Sequence, residues 1–534
     1  RPFYVTFSVS AYQRCIVFPC RRYKGAAQDG CQDVPVLSNL LDQRIEGTLE
    51  GFASTGVGLI CGHRLVIVAL KGPRTRLVSH PQCALSCSHP IHHPRSKNLM
   101  SGRILIPVGL LLALPGACLA QDSLDTGDTA WITTATALVL FMTIPGLAMF
   151  YAGLVKSRNV LSMFTQCFAI TALVTVLWVV YGYSFAFDGT GMAEGQTGLA
   201  AFVGGFGKLF LSGVSPNSIS GTIPELTFVA FQLTFAIITP ALMIGAFAER
   251  MKFSAVLWFT GLWVTLCYFP TAHMVWGGAG GYFADMGVFD FAGGIVVHIT
   301  AGFSALVACI LVGRRQGHPE RMTPPHNIPM TLAGTAMLWV GWFGFNGGSA
   351  LAANGQAAMA ILVTQISPCV AAMTWISIER IRFGQPTAVG LATGAIAGLA
   401  AITPASGNVG PMGAIAIGLS AGLVCYWASV ILKARFGYDD ALDVVGVHGV
   451  GGLVGTLLVA VFASAALGGA VEGLDIGAQL GVQAFASIAV AAYCMVVSFV
   501  ILKVLDAVIG LRVTGDEEAS GLDIADHGET GYAA

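Results

Sequence analysis

The chain reads as an all-α polytopic membrane protein. It has eleven transmembrane helices: an inverted 5+5 repeat plus one long C-terminal helix. Three observations predict this. First, 55% of the 534 residues are hydrophobic and only 10% are charged, with a mean hydropathy of +0.73; a soluble domain carries about 25% charged residues. Second, apolar runs near the roughly 20 residues that a bilayer requires recur eleven times after residue 120. Third, the fifth and tenth runs share one set of ingredients, a leading aspartate, small residues and a single histidine. They are Asp290-Phe291-Ala292-Gly293-Gly294-Ile295-Val296-Val297-His298 and Asp443-Val444-Val445-Gly446-Val447-His448.

The front of the chain stands apart. Met100-Ser101-Gly102-Arg103, the apolar run Ile104–Leu114 and Ala117-Cys118-Leu119-Ala120 have the form of a secretory signal peptide. We therefore expect four segments: a non-native upstream extension (1–99), the signal peptide (100–120), the membrane domain (121–512) and a C-terminal tail (513–534). Six of the 13 cysteines precede residue 100 and have no zinc-ligand spacing. Most of the others lie in apolar runs, where Cys acts as a small hydrophobe. A net charge of −1 with no basic patch gives no sign of a nucleic-acid partner.

The spans run over 130–154, 159–186, 225–248, 253–281, 291–313, 328–350, 354–378, 387–403, 410–433, 444–467 and 477–509, and the eighth is the shortest. Basic residues gather at alternate ends. Lys156, Arg158, Arg250, Lys252, Arg314, Arg315, Arg380, Arg382, Lys433 and Arg435 belong to one set, and Lys208 alone to the other. The positive-inside rule makes the first set cytoplasmic, with the mature N-terminus outside and the tail inside. The fifth span then runs inward and the tenth outward. Opposite topology of two halves places a site near the midplane.

An ionisable side chain at membrane depth is expensive, so His298 and His448 each require a partner. At about 1.5 Å per residue, His298 lies about 12 Å below Asp290 and His448 about 7–8 Å from Asp443. The two rings meet only if the start of one or both helices is sunk below the membrane surface. Asp290 and Asp443 read first as helix N-caps. An intramembrane metal site would need a third ligand, and the nearby polar residues offer only those two aspartates.

Topology also orders several aromatic residues at the outer mouth. Phe231 is outermost on the third span and Phe235 lies one turn deeper. Trp276 closes the fourth span. In the sixth, Ser349 is outermost and Phe345 lies one turn below. A Trp face, a Phe face and a hydroxyl suit a small cation through cation–π attraction and one hydrogen bond. Each aromatic taken alone reads as interfacial packing; their convergence with two buried histidines favours a site.

Taken together, these residues resemble the ammonium transporter (Amt) family, of the bacterial ammonia channel type. The matching runs are Leu140–Gly146, Trp178–Tyr183, Ala272–Gly278, Asp290–His298, Gly341–Ser349 and Gly446–Val450. The resemblance covers roughly residues 127–534. It implies a homotrimer in the inner cell membrane with one pore per subunit, selective for ammonium/ammonia, with neither enzyme activity nor cofactor. It implies an ammonium-recruiting site at Phe231, Trp276 and Ser349, a stacked gate at Phe235 and Phe345, and pore histidines at His298 and His448. Asp290 matches a supporting carboxylate of the family, and Asp443 is expected to support the second helix. An ammonium sensor signalling through its tail is the alternative.

The tail holds Asp516, Glu517, Glu518, Asp523, Asp526 and Glu529 with no Lys or Arg, which by charge alone is a solvated segment. Yet Gly521–Tyr532 resembles the family's ordered C-terminal segment, which implies docking and control by a PII-type signalling protein. Of the remaining histidines, His273, three residues before Trp276, is expected either to support that residue or to serve packing alone, and His318 and His326 to be solvated in the loop between the fifth and sixth spans.

Overall fold

The computed structural model describes residues 58–61, 64–67 and 123–532. The chain divides into two units, Arg1–Leu114 and Pro115–Ala534. The described part of the first is an antiparallel hairpin, Gly58–Cys61 with Arg64–Ile67, in which Gly58 faces Ile67. The expected signal peptide and the rest of 1–99 lie outside the described residues.

Eleven helical spans build the second unit. Span 1 is Thr126–Leu154, span 2 Ser157–Phe187, span 3 Glu225–Phe247, span 4 Phe253–Trp276 and span 5 Gly294–Val312. Span 6 is Ile328–Gly348, span 7 Gly355–Phe383, span 8 Ala388–Ile402, span 9 Pro411–Phe436, span 10 Val445–Phe462 and span 11 Ile476–Val508. Ten of them are long and apolar enough to cross a membrane alone. Span 8, with 15 residues, is the exception and is buried along nearly its whole length. Span 3 carries an apolar surface on all sides and is correspondingly central. Span 11 has 33 residues, about 50 Å of helix, and presents Ile488, Val496, Phe499 and Val504 outward.

Local departures from regular helix mark the two halves alike. Span 5 opens with a wide π-helical turn, Gly294–Ile299, and span 10 with another, Val445–Gly449. The His298 N–H reaches five residues back to the Gly293 carbonyl (2.9 Å). Wide turns of this kind collect at functional positions because they re-aim one side chain. Each of the two turns contains its histidine.

The two histidine helices cross at glycine. A Cβ on Gly302 would lie 2.2 Å from the backbone N and Cα of Gly449, and one on Gly452 would lie 2.8 Å from the His298 Cβ. Only residues without side chains allow this approach, which in lipid replaces the hydrophobic drive with close packing.

At the end of the bundle rich in Lys and Arg, here the basic face, loops are locked by buried charge. Arg250 is 0% exposed and donates to the carbonyls of Ala246, Ala248, Gly313 and Asp439. Arg315 holds Asp439 through two N–H groups (2.9 and 2.8 Å) and Glu249 through a third (3.0 Å). Burial alone would raise the Asp439 carboxyl, but the Arg315 hydrogen bonds and charge outweigh it and hold it well below the usual carboxylate range.

The acidic tail docks on this face. Thr514 and Glu517 form a capping box that starts a short helix, Gly515–Ser520. Glu518 pairs with Arg512 (2.6 Å) and accepts the Gln316 N–H (2.7 Å). Leu522 N–H donates to Asn159, and Ser162 N–H to Asp523 (2.8 Å each). Charge alone would leave the segment solvated; instead it packs on Asn159 and Ser162 at the start of span 2 and on Gln316, all far away in sequence. His318 and His326 are not free in solvent either. His318 Nδ1 lies 3.4 Å from Asp439, and the His326 ring bonds Val155 O and Tyr532 Oη.

Candidate functional site

Each half of the repeat starts its histidine helix on a buried carboxylate. Asp290 accepts the N–H groups of Gly293 (2.9 Å), Gly294 (2.5 Å), Ile295 (2.9 Å) and Val296 (3.0 Å). These are donors that a helix N-terminus otherwise leaves unpaired. In the second half that place belongs to Asp440, which is 1% exposed and accepts the N–H groups of Val444 (3.1 Å) and Val445 (2.8 Å).

Asp443 does not take that place. It has a left-handed backbone (φ 62°), and its side chain turns away to an ion pair with Lys433. The expectation that Asp443 supports the second helix is corrected accordingly. Its own backbone carbonyl accepts the Val447 N–H (2.9 Å), so Asp443 meets the helix start through its backbone and not through its carboxylate. The sequence carried the signal: Asp290 precedes His298 by eight residues, and Asp440 precedes His448 by eight.

The sunken helix starts bring the histidines together. His298 and His448 are 1% and 4% exposed, their rings stack with centroids 5.2 Å apart at 22°, and Nδ1 faces Nδ1 at 3.3 Å. One ring must donate in that bond and the other accept. In the neutral pair the donor then keeps a lone pair on its Nε2, and the acceptor carries N–H on its own. The pair thus offers its surroundings one acceptor and one donor. His298 Nε2 is buried without a hydrogen-bond partner among the described residues.

Apolar groups make up the other walls. A narrow space of about 10 Å³, room for about one water-sized molecule, is lined by both histidines with Trp342, Phe345, Val297, Ile238, Leu242 and other apolar side chains. Trp342 stacks on His298 (5.7 Å, 27°), and its indole N–H is occupied by Thr403 (2.8 Å). Such a passage penalises any ion that must shed its water, and far less a neutral molecule able to accept and donate hydrogen bonds.

Above the histidines the aromatic residues form a continuous column. Phe345 lies over His298 (6.3 Å, 23°), and Phe235 lies on Phe345 (4.2 Å, 34°). Phe235 also meets Phe231 (5.0 Å) and Trp276 (5.8 Å), both edge to face. Phe235 and Phe345 are 1% exposed, whereas Trp276 and Ser349 are only partly buried. Gly348 lets Phe231 close against the end of span 6, since a Cβ there would come within 2.8 Å of its ring. The Ser349 hydroxyl donates to Phe345 O (2.8 Å), which leaves its oxygen free to accept. The Trp276 indole donates to the Asp290 carbonyl (2.8 Å). His273 packs behind, with ring nitrogens facing Ala186 O and Ala200 O.

Comparison with known proteins identifies the family. The model of the Ammonium Transporter Family matches residues 130–532. The chain belongs to the ammonium transporter family. It is 45% identical over 435 residues to an ammonium transporter of Mycobacterium tuberculosis, covering 76% of this chain and 90% of that one. It is 44% identical over 430 residues to one of Aquifex aeolicus, covering 80% and 98%. Among solved structures of the family's fold it resembles a sensor Amt protein (TM-score 0.69, 30% identity, 75% and 98% covered). It also resembles Saccharomyces cerevisiae Mep2 (TM-score 0.66, 33% identity, 74% and 89% covered). The membrane domain is thus an eleven-helix, all-α unit of the ammonium transporter type, with the two halves inverted.

Proposed function

We propose that this protein moves ammonium across the inner cell membrane by a selective pore. The observation that carries the reading is the contact of His298 with His448 directly beneath the stack of Phe235 on Phe345. Ammonium is taken up at Trp276, Phe231 and Ser349, where two aromatic faces and a hydroxyl oxygen suit a small donor cation. It gives up its proton to water at the outer mouth near the stack, ammonia passes along the histidine pair, and it takes a proton from water on the basic face. Potassium has similar size and charge but no proton to lose and no directed hydrogen bonds to make. The apolar passage opposes it by desolvation. Asp290 and Asp440 hold the two helix starts, so the rings stay in register.

In this reading the basic face is cytoplasmic, the assembly is a homotrimer set in lipid, and the tail (513–534) carries control by a PII-type protein. Deleting 513–534 should abolish that binding while pore transport persists; retained PII binding would remove the tail from the account. The transport reading itself is tested in vesicles by internal pH on an ammonium pulse. A fast rise in pH, or an inward current, with ammonium and neither with potassium is expected. Equal responses to both cations would overturn it.

The likeness to a sensor Amt protein, together with the docked tail, supports a second reading in which ammonium binding is signalled rather than followed by flux. Binding of ammonium to purified protein with no flux in vesicles would favour it.

A further inference from the structure

We propose that Gln483, on span 11, is a positioning residue for Trp276, an inference that rests on reading Trp276 as part of the ammonium-recruiting site. Span 11 lies outside the five-plus-five repeat, so the repeat itself gives no reason for a polar residue there. Gln483 is 0% exposed within this apolar helix. Its Oε1 accepts the Phe289 N–H (2.8 Å), and its Nε2 donates to Phe289 O (2.7 Å) and Thr456 O (3.1 Å). Gln479, one turn earlier, donates to Gln483 Oε1 (3.3 Å) and to Gly287 O (2.9 Å).

One side-chain amide therefore pairs both backbone groups of Phe289, as a neighbouring strand would. Neither group has another partner among the described residues. Phe289 is the residue before Asp290, and Asp290 does two things. Its carbonyl accepts the Trp276 indole N–H, and its carboxylate starts the His298 helix. On the far side of Asp290 the chain is pinned by Phe291 N–H to Pro404 O (3.1 Å). Gln483 is the pin on the near side. The indole has one polar handle, and the direction of its face follows the direction of that bond. A cation held by the face is sensitive to that angle. Span 10 enters the same clamp through Thr456, so the clamp ties the Trp276 acceptor to the helix of His448.

The test is ammonium transport in vesicles by Gln483→Met, Gln483→Glu, Trp276→Phe and the double variant Gln483→Met/Trp276→Phe. Gln483→Met keeps length and loses every hydrogen bond; it should raise KM for ammonium about fivefold or more and change the maximal rate much less. Gln483→Glu, which keeps the acceptor for Phe289 N–H, should fall between it and the unaltered protein. It also carries the test alone if Gln483→Met does not fold. The double variant should have the KM of Trp276→Phe, since residues acting through one another are not additive. Full additivity, or an unchanged KM in both Gln483 variants while Trp276→Phe raises it, would overturn the inference. A KM unchanged in Trp276→Phe would instead overturn the recruitment reading, and this inference with it.

Discussion

Gly302→Ala tests the crossing of spans 5 and 10 while leaving both imidazoles in place. The added Cβ would sit 2.2 Å from the Gly449 backbone, where ordinary contact begins at 3.4 Å. To restore ordinary contact the helices must part by about 1.2 Å. If that movement passes to the rings, the Nδ1 to Nδ1 separation grows from 3.3 to as much as 4.5 Å, beyond hydrogen-bond reach. Losing that bond costs about 1 kcal/mol net, or up to about 3 kcal/mol where a buried nitrogen is left unpaired. In rate terms this is a fall between about fivefold and 160-fold. Overpacking should also lower stability by about 1–3 kcal/mol. The assay is ammonium flux in vesicles beside thermal unfolding in detergent, with Gly481→Ala, which meets nothing within 4 Å, as the control. Flux and unfolding temperature of Gly302→Ala equal to those of the control would refute the reasoning.

Further expectations follow from the same contacts. Asp440→Asn weakens charge-assisted bonds to two helix-start N–H groups, each worth about 1.5–3 kcal/mol. It should lower the unfolding temperature clearly, whereas Asp443→Asn, which breaks a partly exposed ion pair, should shift it little; the reverse order would contradict the assignment of the cap. The depressed folded pKa of Asp439 gives stability that is present above the unfolded value of about 3.9 and is lost as pH falls toward the folded value. Melts between pH 3 and 6 should therefore show a steeper acid loss in the unaltered protein than in Asp439→Asn, and parallel curves would refute this. Asp523→Ala removes the acceptor of Ser162 N–H; limited proteolysis should then cut the tail faster while flux is kept, and an unchanged cleavage rate would contradict the docking contact.

Much of this architecture was legible in the sequence because lipid imposes a coarse rule. Backbone groups must be satisfied within the span, so apolar runs of the right length are helices. Even the short eighth run, 387–403, was found close to Ala388–Ile402. The histidines stood out because a polar ring in an apolar run needs a reason. Their meeting did not follow from residue spacing alone, since it depends on helix starts sunk into the protein and on the contact of Gly302 with Gly449. Asp443 lies beside the glycine-rich run, yet the carboxylate at the helix start is Asp440. Adjacency to that run does not decide the cap; the eight-residue interval that repeats Asp290 to His298 does. Charge alone does not report the docking of the tail, because its partners Asn159, Ser162 and Gln316 lie more than 190 residues away in sequence. Gln483 was hidden for the same reason: its value lies in the Phe289 backbone, which no side-chain pattern reports.

The most direct test of the central claim is transport by the protein beside His298→Ala and His448→Ala in vesicles, with ammonium and potassium pulses read by internal pH and by current. The account predicts a response to ammonium and none to potassium for the unaltered protein. It predicts that either substitution lowers the ammonium response or admits potassium. Both variants matching the unaltered protein in ammonium flux, with potassium still excluded, would contradict it.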